Sequence, residues 1–155
     1  MTELAAGCLA PDFALPRDGG GTVALKDFAG KAVVVYFYPQ DDTTSCTAEA
    51  IDFSALLPQF EAAGAAVVGI SPDMPTRHDR FKAKHGLSLI LGSDESRTVI
   101  EAYGAWGEKT LYGRNYMGVI RSTVLVDRDG RVARIWRNVR VRNHARDVLG
   151  AVKAL

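Results

Sequence analysis

The sequence predicts an α/β protein with a central mixed sheet flanked by helices, and three observations support this fold class. Ala32–Tyr38 reads AVVVYFY, an unbroken run of β-branched and aromatic residues that is typical of a strand buried on both faces. A helical pattern and a second buried run, Ala66–Ser71, follow it, which is the order of a parallel βαβ unit. Near the end of the chain, Asp127–Gly130 contains an Asp-Gly step that favours a β-hairpin and antiparallel pairing.

A short extension precedes the first long strand. Phe13–Leu15 and Thr22–Leu25 are extended pieces separated by the three glycines at 19–21, so the pattern predicts an N-terminal β-hairpin. The glycines lack the G-x-G-x-x-G spacing and do not follow a buried strand, which argues against a phosphate-binding loop.

The helices are indicated by the spacing of their apolar residues and by the residues that end them. From Ser45 to about Ala63 apolar residues recur at helical spacing, and Gly64 is suited to a C-cap. Pro75–His85 is a second helix that stops before Gly86. The remaining predicted elements are strands at Leu87–Leu91, Ser122–Val126 and Val132–Trp136 and helices at Thr98–Tyr103 and Asn143–Leu155. This order is that of a thioredoxin-like fold with an N-terminal β-hairpin extension.

Length and composition fit one domain over residues 1–155. The hydrophobic share of 47% and the charged share of 24% are ordinary for a globular protein, which excludes wholesale disorder. A chain of 155 residues buries enough surface to fold without a disulfide or a metal. Two cysteines cannot build a disulfide scaffold or a Cys₄ zinc site, so we expect no metal and no cofactor.

Targeting signals are absent from the sequence pattern. The longest strongly apolar run, Ala32–Tyr38, is far shorter than the ~20 residues that a membrane span needs. Met1–Gly7 has no Lys or Arg and no apolar core, so no signal peptide is predicted. We therefore expect a cytoplasmic protein with no membrane partner, in a compartment where thiols stay reduced.

The net charge of +1 conceals an uneven distribution. Residues 1–110 carry nine basic and 15 acidic side chains, whereas residues 111–155 carry ten basic and three acidic ones. We interpret the C-terminal excess as a solvated basic surface, because no nucleic-acid motif accompanies it. The alternative is a non-catalytic or holdase-like thioredoxin-fold module that binds an acidic partner through this region. A series of these arginines recurs every third residue, at Arg128, Arg131, Arg134, Arg137 and Arg140.

Cys46 lies in or near the first turn of the helix that follows the first long strand. Open α/β sheets bind ligands at this carboxyl edge of their strands, and Thr43, Thr44 and Ser45 offer N-cap hydroxyls here. A helix N-terminus presents unpaired N–H groups and the positive end of a dipole, both of which stabilise a thiolate. We expect Cys46 to be a reactive thiolate, and the acidic residues within 41–49 then require a cation from elsewhere in the chain. The alternative is an inert, buried cysteine.

Several kinds of thiol chemistry are open to Cys46. A dithiol oxidoreductase needs a C-x-x-C partner, but residues 43 and 49 are Thr and Glu. A cysteine hydrolase needs a histidine base, and His78, His85 and His144 are far apart in the sequence, so only the fold could bring one close. Metal binding would need more soft ligands. Peroxide reduction needs only a thiolate, hydrogen-bond donors and a fixed cation.

The segment around Cys46 resembles the peroxiredoxins. Their P-x-x-x-T-x-x-C pattern stands here as Pro39, Thr43 and Cys46, and the wider segment 36–50 is similar to the PrxQ branch, also called bacterioferritin comigratory proteins. Further similar segments are APDF at 10–13, Tyr103–Lys109, Tyr116–Gly118, Arg121–Thr123, Val126–Gly130 and Asn143–Ala145. Because the resemblance runs along nearly the whole chain, it implies a thiol-dependent peroxidase with a thioredoxin-like fold.

The resemblance implies a role for each matching residue. Cys46 would be the peroxidatic nucleophile, which becomes a sulfenic acid, and Thr43 would hydrogen-bond the peroxide. The backbone N–H of Cys46 or Ser45 would stabilise the developing charge. Arg121 would hold both the thiolate and the peroxide with its planar guanidinium.

Two further residues receive supporting roles from the same resemblance. Pro39 would shield the thiolate and shape the pocket. Glu49, one helical turn after Cys46, would orient Arg121 through an ion pair.

The sequence departs from the family where a second thiol is expected. The resolving cysteine of many PrxQ proteins would fall at Ile51, and another branch carries it within residues 80–84, which hold no cysteine here. The second cysteine of this chain is Cys8, and either it is inert or it resolves Cys46, within one chain or between chains. We expect an inert Cys8 and recycling by an external thiol, namely thioredoxin, glutaredoxin or glutathione. The branch is often monomeric, which implies a monomer and a peroxide as the substrate.

Overall fold

The computed structural model describes residues 3–155; residues 1 and 2, which begin both the predicted domain 1–155 and the Met1–Gly7 segment, lie outside it. The strands are β1 (Ala14–Pro16), β2 (Thr22–Ala24), β3 (Ala32–Phe37), β4 (Ala65–Ser71), β5 (Ile90–Ser93), β6 (Trp106–Leu111), β7 (Arg114–Val119), β8 (Ser122–Val126) and β9 (Val132–Trp136). The helices are α1 (Thr44–Ala62), α2 (Pro75–His85), α3 (Thr98–Ala102) and α4 (His144–Lys153), with a 3₁₀ turn at Leu25–Phe28.

The centre of the fold is a five-stranded sheet in the order β5-β4-β3-β8-β9. β3, β4 and β5 are parallel, whereas β8 pairs antiparallel with both β3 and β9. The predicted central mixed sheet, flanked by helices in the thioredoxin-like order, is therefore confirmed. The predicted N-terminal extension is also confirmed, because β1 and β2 form an antiparallel hairpin.

β3 is the core of this sheet, and all six of its residues are buried. Val34 and Tyr36 point to the face covered by α1 and α4, and the Tyr36 ring stacks on Phe53 of α1 at 4.6 Å between centroids. The alternate residues Val35 and Phe37 point to the opposite face, which α3 and the β1–β2 hairpin cover. A strand covered on both sides needs apolar residues at every position, which explains the unbroken run in the sequence.

The third parallel strand begins later than the sequence pattern predicts. The apolar run suggested Leu87–Leu91, but pairing with β4 starts at Ile90 opposite Val68, and β5 ends at Ser93. Leu87 and Leu89 are still buried, because the chain leaving α2 packs them into the core before it reaches the sheet. The apolar run therefore predicted the buried residues of this segment correctly, whereas the bounds of the strand depend on which residues of β4 are available for pairing.

A second hairpin, β6–β7, was not predicted from the sequence pattern. It forms its own two-stranded sheet, and most of its residues are exposed, so the apolar alternation that indicates a strand is weak. Its turn lies at Tyr112 and Gly113, both with positive φ, as tight β-hairpin turns require. The Tyr-Gly pair was the local signal for it. The hairpin returns the chain to the start of β8, next to Arg121.

No helix within residues 3–155 combines the length and the apolar character needed to cross a bilayer.

Gly69 and Gly150 provide a matched test of this packing. A Cβ on Gly69 of β4 would lie 2.7 Å from Cζ of the buried Tyr36 ring, whereas a Cβ on Gly150 in α4 meets nothing within 4 Å. We expect Gly69→Ala to lower the free energy of unfolding by about 1–3 kcal/mol through overpacking. Gly150→Ala should raise it by about 0.5–1 kcal/mol, since Ala is the better helix former. Urea unfolding of both variants checks this, and an unchanged midpoint for Gly69→Ala would contradict the packing of Tyr36.

Candidate active site

Cys46 is the third residue of α1 and lies beyond the carboxyl end of β3, with only 2% of its surface exposed. Thr43 occupies the N-cap position with extended backbone, and the first bond of the helical ladder runs from the Thr47 N–H to the Thr43 carbonyl at 2.8 Å. The N–H groups of residues 44–46 therefore precede the ladder. They are available to a negative charge at this helix end.

The predicted N-cap hydroxyls behave differently from expectation. Thr43 makes no side-chain cap hydrogen bond, and its hydroxyl instead donates to the Gln40 carbonyl at 3.3 Å. The hydroxyl oxygen keeps its acceptor capacity. Thr43 and Ser45 are exposed, whereas Cys46 is buried. The thiol thus lies beneath a polar, solvent-accessible rim.

Arg121 joins the thiol of Cys46 to the carboxylate of Glu49. Its Nη2 donates to Cys46 Sγ at 3.3 Å, and its Nη1 donates to Glu49 Oε1 at 2.6 Å. The pairing of β3 with β8 sets this contact: Phe37 lies opposite Ser122, so the residue before β8 falls at the end of β3. The cation that the acidic surroundings of Cys46 require therefore comes from a position 75 residues away in the sequence.

Glu49 is only 1% exposed, and burial and the nearby Arg121 charge shift its pKa in opposite directions. Burial raises the pKa of Glu49 to about 7, and the Arg121 charge acts in the opposite direction. Burial lowers the pKa of Arg121, but the negative charges of Glu49 and Cys46 outweigh this and raise it. One carboxylate oxygen of Glu49, Oε2, has no hydrogen-bond partner among the described residues. The guanidinium is therefore held between two acidic groups that are both removed from solvent.

Lys109 is a second cation near this site, which sequence reasoning did not single out. Its Nζ donates to the Val119 carbonyl at 2.9 Å and lies 5.9 Å from the centre of the Tyr116 ring. Burial lowers the pKa of Lys109, the Arg121 charge lowers it further, and the charge of Cys46 raises it. The side chain crosses Gly118, where an added Cβ would lie 3.1 Å from Lys109 Cδ. The sequence signal was its place in the Tyr103–Lys109 segment.

The two remaining predicted residues, Pro39 and Cys8, lie in different parts of the fold. Pro39 follows Tyr38 directly after β3 and is half-buried, at the start of the loop that leads to α1. Cys8 is half-buried beside β9: its carbonyl accepts from the Val132 N–H at 2.8 Å. Because Val132 pairs with Val126, Cys8 lies at the end of β8 opposite to the end that carries Arg121.

The three histidines have partners other than the thiol. His78 contacts Asp41, His85 contacts Asp42, and His144 Nε2 lies 2.8 Å from the Thr123 hydroxyl. Burial lowers the pKa of His144 to about 4, so it is neutral at physiological pH. The described hydrogen bonds join none of them to Cys46, which removes the histidine base that a cysteine hydrolase needs.

Comparison with known proteins matches this arrangement to one family. The AhpC/TSA family profile matches residues 6–135. The chain is 44% identical over 149 residues to the putative peroxiredoxin bcp of Helicobacter pylori, covering 96% of this chain and 98% of that protein. It is 42% identical to the peroxiredoxin Bcp of Bacillus subtilis over 147 residues, covering 95% and 94%.

Solved structures give the same result for the fold. A structure of Xanthomonas campestris peroxiredoxin Q aligns with a TM-score of 0.90 at 42% identity, covering 96% of this chain and 97% of that one. A mutant of Xylella fastidiosa PrxQ aligns with a TM-score of 0.92 at 35% identity, covering 99% and 98%. From its sequence match, its fold and its relatives, this chain belongs to the AhpC/TSA family, in the Bcp/PrxQ branch of the peroxiredoxins, and is a thiol-dependent peroxidase.

Proposed function

We propose that this protein reduces hydrogen peroxide and organic hydroperoxides to water and alcohols through a sulfenic acid at Cys46. The observation that carries the proposal is the Arg121 guanidinium, which donates to Cys46 Sγ at 3.3 Å and to Glu49 at 2.6 Å. The guanidinium brings a positive charge and a hydrogen-bond donor to the sulfur that attacks the peroxide.

In the chemical step, the Cys46 thiolate attacks one oxygen of the peroxide. A sulfur–oxygen bond forms while the O–O bond breaks, and the electron pair leaves with the other oxygen as hydroxide or alkoxide. That oxygen takes a proton from solvent to give water or an alcohol. The sulfur is oxidised to Cys46 sulfenic acid and the peroxide is reduced, so atoms and electrons balance.

Groups around the sulfur are arranged to bind the peroxide and stabilise the departing charge. The N–H groups of Ser45 and Cys46 at the start of α1 and the guanidinium of Arg121 supply donors for the developing oxyanion. The hydroxyl of Thr43, an exposed residue, hydrogen-bonds the peroxide. Pro39, half-buried at the start of the loop, shields the thiolate from bulk water.

Recycling of the sulfenic acid requires an external thiol in this proposal. A disulfide needs Cα atoms within about 7 Å. Cys8 lies at one end of β8, and Arg121, which contacts Cys46, lies at the other end, roughly 16 Å away at about 3.3 Å per residue.

In the recycling reaction, a first thiol displaces water from the sulfenic acid and forms a mixed disulfide with Cys46. A second thiol releases Cys46 and leaves as a disulfide with the first. Thioredoxin, glutaredoxin or glutathione supplies these thiols, to a cytoplasmic monomer that uses no cofactor.

Replacement of each cysteine in turn tests the assignment of the nucleophile. We expect Cys46→Ser to abolish peroxide consumption in the presence of a thiol reductant, because an alcohol cannot replace the thiolate. Cys8→Ser should retain activity within about twofold, since Cys8 lies at the far end of β8. Peptide mass mapping after one equivalent of peroxide should locate the sulfenic acid or a mixed disulfide at Cys46. A Cys8–Cys46 disulfide within one chain would refute external recycling.

Arg121 is tested by the rate of the peroxide step. We expect Arg121→Ala to slow oxidation of Cys46 by about 10²–10³-fold in stopped-flow measurements, the loss seen when one oxyanion donor is removed. Arg121→Lys should recover only part of this, because an ammonium cannot contact the sulfur and Glu49 through two parallel donors. Arg114→Ala, at an exposed position of β7, is the matched control and should leave the rate unchanged. Equal rates for Arg121→Ala and the wild type would rule out the role.

Glu49 gives a pH dependence with a defined sign. Its pKa in the folded protein, about 7, is raised above the ordinary value, so folding favours the protonated form. This contribution to stability is complete below about pH 4.5 and is lost as pH rises through about 7. We expect the wild type to lose on the order of 2 kcal/mol of unfolding free energy relative to Glu49→Gln between pH 5 and 8. Urea titrations at both pH values measure this, and parallel pH profiles would contradict the burial effect.

A further inference from the structure

We propose that Asp41 and His78 form a buried positioning pair that fixes the loop between β3 and α1 in the shape that binds peroxide. This loop, residues 38–43, carries Pro39 and Thr43 and leads into the helix turn of Cys46. The inference rests on the proposed function, because it assigns a role in the same peroxide step. Neither residue touches the sulfur through a described hydrogen bond, so both are positioning residues.

The Asp41 carboxylate is fully used by two buried side chains. Its Oδ2 lies 2.6 Å from His78 Nδ1, and neither side chain has any exposed surface. Its Oδ1 accepts a hydrogen bond from the Tyr38 hydroxyl at 2.7 Å. A carboxylate buried this completely in a core is rare unless it is paired, and here each of its oxygens has a partner.

The hydrogen bonds of His78 determine that its Nε2 carries a hydrogen. His78 Nε2 lies 3.1 Å from the Gly92 carbonyl, which can only accept, so Nε2 carries a hydrogen. The 2.6 Å separation between Nδ1 and the Asp41 carboxylate then holds one proton, carried by either the ring or the carboxyl. In both arrangements a short hydrogen bond joins the loop to α2, and His78 in turn is joined to β5.

The backbone of Asp41 is held as firmly as its side chain. Its N–H donates to Asp73 Oδ2 at 2.8 Å, and Arg77 Nη2 donates to its carbonyl at 3.4 Å. Asp73 is itself held, because the same Oδ2 accepts from the Ser71 hydroxyl at 2.7 Å. One residue of the loop is therefore fixed through its amide, its carbonyl and both of its carboxylate oxygens.

The carboxylates and the imidazole of this cluster resemble a cation site in composition and spacing, but their ligand atoms are already hydrogen-bonded. One ligand atom from each of Asp41, Asp73 and His78 lies within 4.8 Å of the others. Each carboxylate oxygen and ring nitrogen already has a hydrogen-bond partner, since Asp73 Oδ1 also contacts Arg77 Nε at 3.2 Å. The cluster is therefore a closed network that joins elements of the fold.

The network lies only a short distance along the chain from the groups that bind the peroxide. Asp42, with a left-handed φ of 65°, separates Asp41 from Thr43, and the Thr43 hydroxyl takes its position from the Gln40 carbonyl. A displacement of Asp41 therefore moves both Thr43 and its acceptor. Reactions between closely placed groups lose about 10²-fold in rate when one of them shifts by about 1 Å.

The test compares Asp41 with its exposed neighbour. We expect Asp41→Ala to reduce the second-order rate constant of the peroxide step at least tenfold while circular dichroism still reports a folded protein. Asp42→Asn is the matched control: it removes exposed ion pairs with Lys84 and His85, and such pairs contribute little. Its rate should stay within about twofold of the wild type.

The Asp41→Asn variant distinguishes a positioning role of Asp41 from a role in folding alone. Asn at position 41 can accept from Tyr38 through its oxygen and donate to Nδ1 of a neutral His78, so Asp41→Asn should recover the peroxide rate to within about threefold. A folded Asp41→Ala with the wild-type rate, or an Asp41→Asn as slow as Asp41→Ala, would overturn the inference. If Asp41→Ala does not fold, His78→Phe carries the test, because it keeps a buried ring and removes the hydrogen bond to Asp41, and an unchanged rate there overturns the inference.

The wild-type protein distinguishes this inference from the function on which it rests. A wild type that consumes no peroxide with any thiol reductant overturns the proposed function and this inference together. An active wild type with an unaffected Asp41→Ala overturns the inference alone.

Discussion

The contact between the Arg121 guanidinium and the Cys46 sulfur is the interaction on which the candidate site depends. It requires a sharp juxtaposition: the start of α1, the carboxyl end of β3 and the residue before β8 must meet at one edge of the sheet. Antiparallel pairing of β3 with β8 produces this meeting, because Phe37 and Ser122 are register partners. A shift of one residue in that register would turn the neighbouring side chains to the other face of the sheet.

Burial gives this contact its electrostatic weight. Charges in a low-dielectric surrounding interact more strongly than charges in water, and Cys46 and Glu49 are both almost completely removed from solvent. Such burial is unfavourable for a charge alone, and the Arg121 guanidinium offsets part of that penalty at Glu49. Lys109 adds a second cation from the β6–β7 hairpin, whose polar, exposed strands otherwise contribute little to the core.

The loop that precedes Cys46 is held by a separate set of contacts from the opposite side. α2 and the ends of β4 and β5 reach it through His78, Asp73 and the Gly92 carbonyl. The site is therefore fixed between two halves of the sheet: β8 positions the cation, and β4, β5 and α2 position the loop. Such support from packed elements is what holds a reactive constellation within the small tolerances that chemistry needs.

The sequence by itself determined the class of fold, the position of Cys46 at a helix start and the need for a distant cation. These features are local: the run at Ala32–Tyr38, the Asp-Gly step and the P-x-x-x-T-x-x-C pattern are readable from neighbouring residues. The family resemblance then supplied Arg121 and Glu49, which no spacing rule connects to Cys46. The sequence pattern did not predict the β6–β7 hairpin, because exposed strands lack an apolar period. It also did not predict where β5 starts, because the bounds of a strand depend on its partner strand.

Only the tertiary structure decided which charged groups meet. Asp41 in the sequence is one of several acidic residues near Cys46, and His78 is one of three scattered histidines, yet the fold buries these two together at 2.6 Å. In the same way it placed Cys8 at the far end of β8 from Arg121, although both cysteines are equally prominent in the sequence. The physical reason is that ion pairs, burial and thiol reach depend on distances between segments that are remote in the chain, and the packing of the sheet and helices sets those distances.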